Sequence, residues 1–404
     1  MYIERFLEKK IEKYLDSPEI IAIFGPRQVG KTTLLKELYK KSKNPIFLTF
    51  EDIELKALFE EDIKSFIKLY IEPYDTIYID EFQYAKTGGK NLKFIYDTTQ
   101  GKKIFISSSL AMELSINAVK YLAGRIFVFH LYSFSFGEFL NYKDKNLYEL
   151  IKADSNPSSL IINKVNGYLN EYLIYGGYPR VILAESKDEK KEVLKNLLNI
   201  YLLRDIKDVA GIVDEVKMYK LLKALSLQIG NVVVYNELAN LIGVSAIKLK
   251  EYLDVLEKVF LIKKIVPFFT NKRLEIVKNP EIFFYDLGLR NAIINNFLPL
   301  ENRSDGGAIL ENFVFRELIE SNLKFYRTKN GAEVDFILND AIPIEVKSNL
   351  SDLKIGKSFH YFLENYKPPK GYLLNLNKIG KKKIKGVEVK FLPLFMTDKI
   401  AKEY

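Results

Sequence analysis

Five consecutive apolar residues, Ile20, Ile21, Ala22, Ile23 and Phe24, run into Gly25 and Pro26. A short unbroken apolar run, stopped by glycine and proline, reads as a strand buried on both faces. Similar runs recur at 46–50, 76–79 and 103–107, separated by stretches of helical period near 31–40 and 54–70. Apolar strands alternating with helices predict a parallel sheet covered on both faces. Ahead of the first run, Ile3, Phe6, Leu7, Ile11 and Leu15 recur at helical spacing, so 2–15 is expected to form an amphipathic helix.

The pattern changes at 151–160, where Asn, Pro and Ser cluster in a polar connector, and is helical from 161 to 229. Residues 231–266 hold two short helical segments, 236–242 and 246–258, broken at Gly243 and flanked by apolar strand-like pieces, with Ser245 as N-cap. That order reads as a winged helix-turn-helix. A helix over 307–321 then leads into strands near 334–338, 343–347 and 371–375.

Composition narrows the function classes. A chain of 404 residues, 48% hydrophobic and 28% charged, has the make-up of a folded soluble protein of two or three domains. It has no cysteine, which excludes disulfides, Fe–S clusters and a thiol nucleophile, and His130 and His360 are too few for a histidine-rich metal site. No run reaches the ~18 apolar residues of a membrane span. The opening MYIERFLEKKIEKYL is charged throughout, unlike a signal peptide. The expectation is a cytoplasmic protein without a membrane partner. Residues 351–404 carry 12 basic and 5 acidic side chains, so they hold most of the net charge of +9. A basic tail on a nearly neutral body points to a polyanionic partner.

Gly25, Pro26, Arg27, Gln28, Val29, Gly30, Lys31 and Thr32 fit G-x-x-x-x-G-K-[ST], followed by Thr33, between a buried strand and a helix. Backbone N–H groups there would cradle phosphates, Lys31 would reach the β- and γ-phosphates of ATP, and Thr32 would ligate Mg²⁺. The apolar strand 76–79 ends in Asp80 and Glu81. Asp80 is the expected second metal ligand and Glu81 the base for the attacking water. Hydrolysis also needs a cation on the developing charge, for which Arg125 and Arg27 are candidates, in the same subunit or a neighbouring one.

A second constellation lies near the C-terminus. Glu345 and Lys347 share one face of a strand by its period of two, Asp335 lies on the preceding strand, and Glu311 on a helix upstream. Carboxylates on adjacent strands can bind Mg²⁺ and activate water, with Lys347 orienting it, which is the chemistry of a phosphodiester nuclease.

With these motifs stand Asp80-Glu81-Phe-Gln, Leu122-Ala-Gly-Arg125, Leu131-Tyr-Ser-Phe-Ser-Phe-Gly-Glu138, Gly176-Gly-Tyr-Pro-Arg180, Arg204-Asp205-Ile, Phe284-Tyr-Asp286-Leu-Gly288 and Gly307-Ala-Ile-Leu-Glu311. Together they resemble the archaeal and bacterial AAA+-like ATPases that join an AAA domain to a DUF4143 C-terminal region. The resemblance implies an α/β chain with a P-loop AAA+ domain over 1–150, a helical and winged-helix middle over 151–299, and a restriction-endonuclease-like α/β domain over 300–404. Where such proteins often have Gly-Ser after the sensor strand, this chain has Ser107-Ser108-Ser109, and Ser109 is the candidate sensor. The implied function is an Mg²⁺-dependent ATPase acting on nucleic acid, DNA above all, with assembly into a homo-oligomer open. Two alternatives stand beside it: an ATPase whose C-terminal domain binds DNA without cutting it, and a nucleotide-gated switch for a protein partner.

Overall fold

The apolar run Ile20–Phe24 is strand β1, buried along its whole length. With β2 (Pro45–Thr49), β3 (Thr76–Asp80), β4 (Lys103–Ser108) and β5 (Ile126–His130) it forms a sheet in the order β2-β3-β4-β1-β5. All four pairings are parallel, as unbroken apolar runs require. Parallel strands bring their C-terminal ends to one edge, so Phe24, Asp80 and Ser108 finish side by side. Strand β5 has no counterpart in the sequence reading. It is half-buried at the sheet's edge, although Ile126, Phe127, Val128 and Phe129 form an apolar run like those of the other strands.

The computed structural model describes residues 2–109, 121–200, 206, 209 and 214–403, so the Arg204-Asp205 string lies outside the described residues. The chain divides into two compact units, Met1–Phe134 with Glu257–Phe260, and Ser135–Leu256 with Leu261–Tyr404. In the first unit the expected helix over 2–15 is only α1 (Phe6–Glu12), preceded by extended Arg5. A second helix, α2 (Lys31–Lys41), starts directly after the glycine-rich loop. The stretch 54–70 is not one helix either. It breaks at Asp62, whose carboxylate accepts the Ser65 N–H and starts a new helix, as Asp52 does for the first piece.

The second unit is helical and then mixed. Helices Lys145–Ala153 and Ser159–Tyr175 extend into the polar connector and leave only 154–158 between them. Three of the motif strings prove to be structural. Ser135 and Glu138 form a reciprocal cap, the hydroxyl accepting the Glu138 N–H and the carboxylate accepting the Ser135 N–H. Asp286 accepts the Leu289 N–H at 3.1 Å with one oxygen and the Gly177 N–H at 2.9 Å with the other. The Gly176 and Asp286 strings are therefore one brace. Gly288 is needed because a Cβ there would stand 2.0 Å from the Tyr175 carbonyl oxygen.

Helices Tyr235–Ile242 and Ala246–Lys258 flank left-handed Gly243, and the Ser245 hydroxyl accepts the Lys248 N–H. They lead into an antiparallel pair, β6 (Ile262–Ile265) and β7 (Glu281–Phe284), and Val232 bridges to Glu281. Strands β8 (Leu323–Arg327), β9 (Glu333–Leu338), β10 (Ile342–Val346), β11 (Lys370–Asn375), β12 (Gly380–Ile384) and β13 (Val387–Pro393) form a mixed sheet in the order β12-β13-β11-β10-β9-β8. The lysine run Lys381, Lys382 and Lys383 is its exposed edge strand, joined to β13 through left-handed Lys385 and Gly386. Lysines on an edge strand deter pairing with another chain.

The brace at Gly288 is testable. Gly288→Ala is expected to destabilise the protein by about 3 kcal/mol through backbone overlap. Gly307→Ala, with open space around its Cβ position, should be neutral within about 0.5 kcal/mol. Urea unfolding measures both, and equal midpoints would contradict the brace.

Candidate functional site

The loop between β1 and α2 gets its shape from two glycines that act differently. Gly30 is left-handed at φ 97°, as is Gln28 at φ 60°. Gly25 is needed for space, since its Cβ would overlap the Leu131 carbonyl oxygen at 1.9 Å. Successive N–H groups in such a turn, at the start of a helix, make an anion-binding concavity. Lys31 is buried, with Nζ donating to the carbonyls of Gly25 at 2.9 Å and Pro26 at 2.7 Å, which hold the ammonium inside the loop. Of the other expected contacts, Val29 is buried, Arg27 half-buried, and Gln28 and Thr33 exposed. Val29 therefore serves the loop through its backbone.

Strand ends supply the rest. Asp80 is only 4% exposed, and its carboxylate accepts the Thr32 hydroxyl at 2.7 Å and the Glu81 N–H at 3.1 Å. Its Oδ1 also accepts the Ser107 hydroxyl. The Thr32 hydroxyl and Asp80 carboxylate are oxygen donors in direct contact, which fits Mg²⁺. Glu81 is left-handed at φ 54°, a strained conformation for a non-glycine residue and one that concentrates at functional sites. Gln83 donates to the Glu81 carboxylate and accepts the Ser109 N–H at 3.2 Å. The Ser109 hydroxyl is buried without a hydrogen-bond partner among the described residues. Ser107, the serine that holds Asp80, and Gln83, which links Glu81 to Ser109, received no assigned role in the sequence reading. The only signal was their place at a strand end and beside Glu81.

Arg125 lies elsewhere. Its carbonyl accepts the Ile20 N–H at the start of β1, whereas the phosphate loop follows Phe24 at the other end of that strand. A five-residue strand spans ~15 Å. The guanidinium is paired with Asp97 at 2.9 Å. This corrects the expectation that Arg125 could serve the loop of its own subunit.

In the second unit Asp335 and Glu345 come together on adjacent antiparallel strands, one step beyond the Ile344–Phe336 pair. Asp335 Oδ2 accepts the Val346 N–H at 2.6 Å, and Lys347 Nζ lies 2.7 Å from Glu345 Oε1. Glu345 Oε2 is buried without a hydrogen-bond partner among the described residues. Glu311, on helix Gly306–Glu317, lines a cavity of ≈ 270 Å³ with Asp335, Glu281, Glu333, Arg327 and Gly230. A Cβ on Gly230 would approach Glu311 Oε2 to 2.8 Å. Among the described residues no three His, Asp or Glu side chains stand close enough to hold one metal ion. Of the expected ligands, Glu311 and Asp335 line this cavity and Glu345 is the cross-strand partner of Asp335, without the three forming one ligand set.

Burial raises all three carboxyls above their usual range. Glu311 is pushed up to about 7 by burial and then by Glu281, and Asp335 well up by burial, Glu345 and Glu311. Burial also raises Glu345, against the pull of Lys347. The orphaned Glu345 oxygen and this mutual repulsion are what positive charge would relieve, although the three carboxyls do not form one ligand set for a metal ion. Glu281 was missed in the sequence. Burial raises it to about 8 despite Arg327 at 3.3 Å. A charged residue opening the apolar strand Glu281–Phe284 was the available signal.

An AAA domain family model matches residues 17–140, and models for two domains of unknown function match 166–300 (DUF8612) and 306–395 (DUF4143). The chain is 26% identical to protein MJ1544 of Methanocaldococcus jannaschii, over 83% of this chain and 75% of that protein. It is 28% identical to a Haemophilus influenzae protein over 84% of each. Among solved structures it resembles the Walker-type ATPase PABY2304 of Pyrococcus abyssi, with TM-score 0.46, 15% identity, and 72% of this chain and 96% of that one covered. The Aeropyrum pernix ORC1 protein, solved in complex with DNA, gives 0.31 at 10% identity, covering 73% and 93%.

The raised Glu311 carboxyl makes a signed test. Below about 4.5 it is protonated in both folded and unfolded chains. As pH rises toward 7 the unfolded chain ionises freely and the folded one does not, so stability is lost through that window and levels off above it. Glu311→Gln should therefore gain stability over the native chain between pH 4.5 and about 7, reaching on the order of 2 kcal/mol at pH 8. Thermal melts across pH measure this; a difference independent of pH would contradict the buried carboxyl.

Proposed function

We propose, from the premise that the chain belongs with the AAA-domain ATPases that carry a DUF4143 C-terminal region, that it hydrolyses ATP with Mg²⁺ and spends the cycle on DNA. The observation that carries the ATPase reading is the meeting of Thr32, Ser107 and the Glu81 N–H on one buried carboxylate, Asp80, beside the Lys31 loop. Lys31 and the loop N–H groups bind the phosphates. Thr32 and Asp80 would hold Mg²⁺, whose charge offsets that of the phosphates. Glu81 takes the proton of the attacking water, Gln83 orients Glu81, and Ser109 senses the γ-phosphate. Arg27 remains a candidate cation within the loop. Arg125, remote from its own loop, would act only across a homo-oligomer.

The DNA reading is supported by the basic surplus of 351–404 and by the Asp335, Glu345 and Lys347 cluster, with Glu311 opposite. Restriction-endonuclease-like chemistry would use Mg²⁺ on the carboxylates and Lys347 to orient water. Helices Tyr235–Ile242 and Ala246–Lys258 with β6 and β7 have the order of a winged helix. The spans of the three family models support a division near 150 and 300. The working compartment is the cytoplasm. One observation favours a silent, DNA-holding cleft instead: the protein itself already bonds Asp335 Oδ2 and Glu345 Oε1.

Lys31→Ala is expected to weaken ATP binding at least tenfold, by about 1.4 kcal/mol or more. Glu81→Gln should bind ATP but turn over about 10²–10⁴-fold more slowly. Calorimetry and phosphate release measure these, and full hydrolysis by Lys31→Ala would overturn the ATPase reading. Incubation of the full chain with plasmid and linear DNA in Mg²⁺ or Mn²⁺ tests cleavage. Asp335→Ala and Lys347→Ala should each abolish cutting while ATPase activity survives. Cutting that persists in Asp335→Ala would remove the nuclease reading, and DNA binding without cutting in the native chain would establish the silent one.

A further inference from the structure

We infer that Arg5 is a positioning residue for phosphate binding, setting the orientation of the Val29–Gly30 peptide and so the Gly30 N–H offered to ATP. The inference rests on the ATPase reading above and deepens it. Arg5 is 5% exposed, and its two terminal nitrogens reach two separate segments. Nη1 donates to the Val29 carbonyl at 2.9 Å and Nη2 to the Tyr132 carbonyl at 2.8 Å, while the guanidinium lies 4.2 Å from the centre of the Phe134 ring.

In a trans peptide the carbonyl and the following N–H point in opposite directions. Arg5 draws the Val29 carbonyl to the outside of the loop, so the Gly30 N–H turns to the inside, where phosphate is bound. Left to itself this peptide is poorly determined. Gly30 has no Cβ to restrict it, and both Gln28 and Gly30 are left-handed. An anchor from outside the loop supplies what local sterics do not.

The anchor is itself fixed. Arg5 leads into α1, where Glu8 accepts Lys41 Nζ, in the last turn of α2, at 2.7 Å and the Tyr2 hydroxyl at 2.6 Å. Since α2 begins at Lys31, the N-terminal segment holds the loop at one end of that helix and the helix itself at the other. The planar guanidinium fork suits two carbonyls at once, whereas a lysine ammonium concentrates its donors at one point.

The test is steady-state ATP hydrolysis by the full chain with Arg5→Ala, Arg5→Lys and Lys31→Ala. Arg5→Ala should raise KM for ATP about tenfold, the loss of one hydrogen bond to a charged group, with kcat changed less than about threefold. Arg5→Lys should fall between Arg5→Ala and the native chain. Added guanidinium at non-denaturing concentration should lower the KM of Arg5→Ala and leave Lys31→Ala unimproved, a rescue that a general loss of packing would not show. Unchanged KM in folded Arg5→Ala overturns the inference. If that variant does not fold, unchanged KM in Arg5→Lys does so. A native chain that neither binds nor hydrolyses ATP removes the function and the inference together. Activity lost in Lys31→Ala with normal KM in both Arg5 variants removes the inference alone.

Discussion

The first unit depends on one buried carboxylate. Asp80 ends β3 with almost no exposure, and a charge in that position must be hydrogen-bonded to persist. Its partners come from the start of α2, the end of β4 and its own following peptide. Those bonds are possible only because β1, β3 and β4 run parallel and finish at one edge. They join the glycine-rich loop to the two neighbouring strand ends, and they bend the chain at Glu81 into its strained left-handed conformation. The loop, the carboxylate and the adjacent Glu81 are one arrangement, and sheet direction is its cause.

The second unit shows the same physics with a different outcome. There the acidic groups face one another, with Glu281, Glu311 and Asp335 around a polar cavity and Glu345 beside Asp335. Among the described residues, Lys347 and Arg327 offset them with positive charge. Folding brings together carboxyls that resist ionisation, a cost that a structural role alone does not explain. Glu281 and Gly230 come from the segment before the C-terminal sheet, so the cleft is completed by residues far from it in sequence.

Much of this was legible in the chain. Unbroken apolar runs identified four of the five parallel strands, and the loop motif with Asp80 and Glu81 named residues that the fold gathers at one sheet edge. The period of two placed Glu345 and Lys347 together correctly. What escaped has physical reasons. Asp62 divides an otherwise helical pattern by capping. Arg125 looked competent in sequence because strand direction, not spacing, puts it at the wrong end of β1. Arg5 and Ser107 make side-chain bonds to residues distant in sequence, which no periodicity records. Several family-like strings, such as those around Gly176 and Asp286, turned out to hold backbone segments together.

Calorimetric titration of ATP, with and without Mg²⁺, into the native chain and Asp80→Asn tests the central claim most directly. The expected result is that Mg²⁺ strengthens ATP binding to the native chain and has little effect on the variant, with Mg²⁺-free binding similar in both. Equal strengthening by Mg²⁺ in the two proteins would contradict a nucleotide site organised around Asp80.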